Sequence, residues 1–152
     1  MLRPMGTIKA EASVDVDAPA ERCYAIAADL ERAPEWQRSL QSVEVLERDA
    51  QGRPTLVETV SDASVKTITT RLRFAYEPPR AIRVRQEKGD LKSLEGGWTF
   101  VEADGRTQAT YALDADPGRM LGMLLRGPVV DKVKQVLVGE AAEGLKARAE
   151  GS

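Results

Sequence analysis

No histidine occurs among the 152 residues. That excludes serine–histidine and cysteine–histidine triads, histidine general bases and histidine metal ligands together. Cysteine is nearly absent as well. Cys23 stands alone, so an internal disulfide and any Cys-x-x-Cys redox or zinc pair are excluded. Such usage is compatible with a reducing cytoplasm, the expected location. Neither sign of charge dominates: Lys and Arg total 22 against 24 for Asp and Glu, a formal net charge of −2. A chain so balanced carries no electrostatic footprint for nucleic acid or for an anionic membrane. Long apolar runs are missing too. The longest, Met120 to Leu125, falls far short of the ~20 residues that a membrane-spanning helix needs. The first six residues, Met-Leu-Arg-Pro-Met-Gly, lack an apolar signal core, and Met1 and Met5 are both candidate starts. Internal repeats and linkers are absent, so residues 1–152 are expected to form one domain. No metal or cofactor is expected.

What is present is a succession of short patterned segments. Over 7–17, Ile8, Ala10, Ala12, Val14 and Val16 alternate with Lys9, Glu11, Ser13, Asp15 and Asp17. A period of two with one wet face predicts an antiparallel strand. Pro19 at a helix start, with Glu21 at the positive end, opens a short helix to about Asp29. A second short turn, Glu31 to Glu35, closes on Trp36. Six strand-like segments follow: Leu40 to Arg48, Pro54 to Ser61, Val65 to Tyr76, Ala81 to Glu87, Lys92 to Val101 and Arg106 to Ala115. The turns between them are too short for helical crossovers, so they form a meander. Met120 to Leu125 reads as a short helix or turn, broken at Gly127-Pro128. From Val129, apolar Val133, Val136, Leu137, Ala141 and Leu145 recur at helical spacing, giving an amphipathic helix of about five turns. Gly139 and Gly144 within it each cost about 1 kcal/mol of helix propensity, pointing to close packing or mobility there.

A seven-stranded antiparallel sheet must cover its apolar face, and the C-terminal helix is the large cover available. The sheet must therefore curl around it. The fold class is α+β. This order of elements resembles the helix-grip fold of the START-like superfamily, also called SRPBCC, which includes polyketide cyclase/dehydrases and coenzyme-Q-binding proteins. Local matches are Val14 to Glu21 before the first helix and Asp29 to Trp36 after it, Leu94-Glu95-Gly96-Gly97-Trp98-Thr99-Phe100 in a late strand, and Thr107 to Tyr111 in the next. The resemblance runs from about Ile8 to Ala149. It implies a deep cavity between the sheet and the long helix, suited to a lipid, an isoprenoid or quinone, or a polyketide.

Strand alternation nominates the cavity wall: Ile68, Leu72 and Phe74, then Gln86 beyond Ile82 and Val84, then Trp98 and Phe100, then Tyr111 with Leu113. A single bulge would invert any of these phases. Tyr76 and Tyr111 are expected at a rim that reaches water. Glu58 has two readings. With Leu56 and Val60 inward it is a buried acid fit for proton transfer; with Val57 inward it is a solvated residue, and unpaired buried glutamates are rare. Arg71, Arg73, Arg83 and Arg85 fall on the outer face, where cross-strand partners are expected. Two functions compete. One is a carrier binding a hydrophobic small molecule; the other is a polyketide cyclase/dehydrase-type enzyme, with Glu58 and Tyr111 as its candidate acid–base groups. A protein partner, engaging near Trp36 or through 116–128, is a third.

Overall fold

β1 (Ile8–Val16) opens the chain and α1 (Ala20–Ala28) follows, succeeded by a 3-10 turn over Leu30–Glu35. The meander then runs through β2 (Leu40–Arg48), β3 (Pro54–Asp62), β4 (Thr67–Glu77), β5 (Ala81–Gly89), β6 (Ser93–Ala103) and β7 (Arg106–Asp116). A short α2 (Gly118–Gly122) leads to α3 (Pro128–Lys134), a π-helical turn over Gln135–Gly139 and α4 (Glu140–Glu150). These last three form one continuous rod. The computed structural model describes residues 8–63, 66–123 and 127–151. Thr7, Val65, Leu124 and Leu125, assigned above to strand or helix ends, and the two candidate starts, lie outside the described residues.

All seven strands form one antiparallel sheet in the order β1-β7-β6-β5-β4-β3-β2. The first strand thus closes against the last, with Ile8 opposite Ala115 and Val16 opposite Thr107. Gly96 and Gly97 let β6 pack closely between β5 and β7. Their φ angles are +151° and +142°, and a Cβ on them would lie 2.0 Å from the carbonyl oxygens of Ala112 and Ile82. Only glycine tolerates both the backbone angle and that approach by the two neighbouring strands.

One end of the sheet–rod sandwich is solid. Val16, Cys23, Ala27, Ile82, Phe100, Ala109 and Leu145 pack together there, with Trp36 tilted against Trp98 at 6.3 Å. Small residues on α4 make this contact tight: Ala141 and Ala149 are buried, and Gly144 sits against the Trp36 carbonyl. Leu145 is fully buried, worth about 1.5–3 kcal/mol relative to exposure. Tertiary hydrogen bonds finish the helix ends. Pro19 offers α1 no side-chain cap, and the Ala20 N–H donates instead to Glu102 Oε1 of β6 at 2.7 Å. Arg22 Nε donates to the Ala149 carbonyl at 2.7 Å near the end of α4. Free N–H groups at a helix start and free carbonyls at its end are the orphans that such bonds satisfy.

Candidate functional site: a cavity between sheet and rod

The other end is hollow. Cross-strand register sets Val57 opposite Leu72 and Thr59 opposite Thr70, and these side chains share the concave face with Ile68 and Phe74. Trp98 of β6 and Tyr111 and Leu113 of β7 extend the wall, while Val133 and Leu137 of the rod close it. Leu137 belongs to the π-helical turn, whose extra residue per turn offsets the side chains on either side of it. The cavity measures about 130 Å³. A cavity of roughly 150 Å³ lined by aliphatic residues is enough to take one benzene ring.

Its chemistry is apolar with a few hydroxyls. Thr59 and Thr70 are 8% and 5% exposed, and their hydroxyl oxygens lie 2.9 Å apart in a hydrogen bond. Ser39, Ser61 and Gln37 add further polar groups to the lining. Tyr111 stacks on Trp98 with ring centroids 4.5 Å apart. Among the described residues its hydroxyl has no hydrogen-bond partner, and burial pushes the phenol up to about 12. It is therefore a proton-bearing donor at neutral pH, not a base. No Asp, Glu, Lys or Arg stands among the described residues of the lining.

A family model for "Polyketide cyclase / dehydrase and lipid transport" matches residues 16–140. The chain belongs to that family. Solved structures share its fold. A START superfamily protein from Mycobacterium smegmatis superposes with a TM-score of 0.80 at 22% identity, covering 94% of this chain and 97% of its own. The Zhui aromatase/cyclase from Streptomyces sp. R1128 gives 0.79 at 21% identity, covering 95% and 94%. The major latex-like protein 151 of Panax ginseng gives 0.72 at only 10% identity, covering 95% and 99%. No curated protein matches the sequence. At these identities the likeness is one of fold: START-like, with the helix-grip arrangement.

In this START-like chain, Ile68, Leu72, Phe74, Trp98 and Tyr111 all line the cavity. Two residues nominated with them, Phe100 and Gln86, do not, and of the two readings of Glu58 the structure takes the solvated one. Phe100 lies one pleat beyond Trp98, in the solid end, stacked on Trp98 at 5.8 Å and edge-on to Tyr24 at 6.3 Å. Gln86 sits beside an irregularity where β4 pairs β5, between Arg71 and Leu72. Its Nε2 donates to the Leu91 carbonyl at 2.8 Å instead of facing the cavity. Glu58 is on the outer face, ion-paired to Arg71 at 3.1 Å, because Val57 takes the inward phase. That location removes it from the candidate acid–base groups of the cavity. Arg73 and Arg83 are likewise paired outside, with Glu87 and Glu77, both at 2.6 Å. The rim expectation gives way for Tyr111, which lines the cavity; Tyr76 stays half-buried, and its hydroxyl donates to the Pro54 carbonyl at 2.5 Å. Thr59 and Thr70 also line the cavity, and the sequence alone does not single them out. The signal was Val57-x-Thr59-x-Ser61, legible only once the phase of β3 is known.

Proposed function

We propose that the chain binds a compact hydrophobic small molecule in the cavity between sheet and rod, and that Ile68, Leu72, Phe74, Trp98 and Tyr111 contact it. The observation that carries this reading is the lining itself: aliphatic and aromatic walls, hydroxyls and the Gln37 amide as polar side chains, and no charged side chain among the described residues. Ligand pockets are mostly apolar with a few placed polar groups. The family's description names lipid transport beside cyclisation. A volume of about 130 Å³ fits a single ring; a lipid, quinone or folded polyketide of the usual 300–1,000 Å³ pocket class would have to spread the rod from the sheet. The reading needs no cofactor, treats residues 1–152 as one START-like unit and places it in the cytoplasm. Among the described residues no helix is long and apolar enough to cross a membrane.

A second reading, a cyclase or dehydrase, is favoured by Tyr111, which lines the cavity and whose hydroxyl has no partner among the described residues. Tyr111 could protonate a developing oxyanion. A partner base is missing from the described lining, which is why binding ranks first.

Methyl-resolved NMR with toluene tests the main reading. Shifts confined to methyls such as Leu72, Leu113, Val133 and Leu137 support it, and Ala115→Leu, which fills the cavity, should abolish them. Shifts absent, or confined to the outer face, overturn it. Native mass spectrometry of freshly purified protein would show a resident guest. Tyr111→Phe separates the two readings, because turnover of a candidate polyketide substrate would disappear while toluene binding persists.

A further inference from the structure

We infer that the cavity selects an uncharged guest carrying an oxygen acceptor, and that the Thr59–Thr70 hydroxyl pair is its specificity-determining donor; this rests on the cavity reading above. The count of protons carries it. Two hydroxyls hold two protons, and one is used in the 2.9 Å bond between them. Whichever threonine accepts keeps its own proton free. Both side chains are more than nine-tenths buried, and among the described residues neither hydroxyl has another partner. A buried donor without an acceptor is costly and uncommon. The pair lines the cavity, so a guest's oxygen can take that proton.

Tyr111, Ser39, Ser61 and Gln37 add further uncharged donors to the cavity wall. The wall therefore offers donors without offering a cation. A ketone, ether or alcohol oxygen is matched by such a wall. A carboxylate or phosphate is not: it would enter without a counter-charge, and an unpaired charge in an apolar site is strongly disfavoured. The chemical class is thus a small neutral ring or branched chain with one carbonyl, ether or hydroxyl oxygen.

Three probes of similar size test this at neutral pH: ethylbenzene, acetophenone and benzoate, each titrated by methyl NMR. Acetophenone should bind ~3–10-fold more tightly than ethylbenzene, the usual yield of one neutral hydrogen bond. Benzoate should bind at least ~100-fold more weakly than acetophenone. In the double variant Thr59→Val, Thr70→Val, which removes both partners together, the ratio of acetophenone to ethylbenzene affinity should fall to about one. Benzoate binding as tightly as acetophenone overturns the inference, as does a ratio unchanged in the double variant. If instead Tyr111→Phe alone removes the preference, Tyr111 is the donor and the threonine assignment is wrong. In each of those cases ethylbenzene binding still upholds the cavity. Failure of both neutral probes sinks the cavity reading and the inference with it.

Discussion

Gly144 offers the sharpest test of how the rod is seated. At an open helix position, glycine to alanine gains about 1 kcal/mol. Gly144 is not open. A Cβ there would lie 2.0 Å from the Trp36 carbonyl oxygen and 3.1 Å from its carbonyl carbon. Carbon–oxygen contacts normally begin near ~3.3 Å, so α4 would have to withdraw by roughly an ångström or the 3-10 turn would have to yield. Both are tied down. Arg148 holds Glu35 at 2.7 Å, Arg22 holds the Ala149 carbonyl, and Leu145 next to Gly144 is fully buried. Overpacking of this kind costs about 1–3 kcal/mol. After the propensity gain, Gly144→Ala should lose on the order of 1 kcal/mol, a fall of about 2–4 °C in Tm. Ala147→Gly, at an exposed position of the same helix, should also lose about 1 kcal/mol, from propensity alone. Opposite substitutions three residues apart would thus act in one direction. Urea denaturation followed by circular dichroism measures both. A Gly144→Ala protein as stable as the parent, or more so, would refute the close approach.

Acid stability depends in part on the tail of α4. Hydrogen bonds from the Lys146 ammonium and from the Asp17 N–H, both at 2.8 Å, hold the Glu150 carboxyl below its ordinary value of 4.5. A depressed carboxylate contributes stability above its unfolded pKa and loses it as pH falls through the folded one. Glu150→Gln should therefore show a shallower loss of stability between about pH 5 and pH 3, and superimposable acid profiles would count against the linkage. Binding should behave differently. With Tyr111 pushed up to about 12 and no carboxylate among the described lining residues, affinity for a neutral probe should stay level from about pH 6 to 9. A tenfold change across that window, read by the same NMR titration, would reveal an ionisable group at the guest.

Much of the site was already legible in local pattern. Ile68, Leu72 and Phe74 are spaced for one face of β4, and the pairing irregularities in β2 and between β4 and β5 leave that phase intact. Glu58 was undecidable locally, because Leu56-Glu58-Val60 and Val57-Thr59-Ser61 are both plausible inward sets. The strand's partners settled it: Arg71 lies across from Glu58 on the wet side, and Thr70 across from Thr59 on the dry side. Gln86 and Phe100 were misplaced for a related reason. Alternation says which face a residue occupies, but not whether that stretch of the face is packed or hollow.

Periodicity and punctuation, both properties of short stretches of chain, determined the element order, the curled seven-stranded sheet and the amphipathic rod. Tertiary structure alone decided where the rod touches and where it stands away. Small residues on α4 close one end, while Val133 and Leu137 face open space at the other. It also decided that two threonines eleven residues apart meet as a buried hydroxyl pair. The reason is physical: a void and a cross-strand hydrogen bond depend on how separate elements meet, and the alternation within one strand encodes neither.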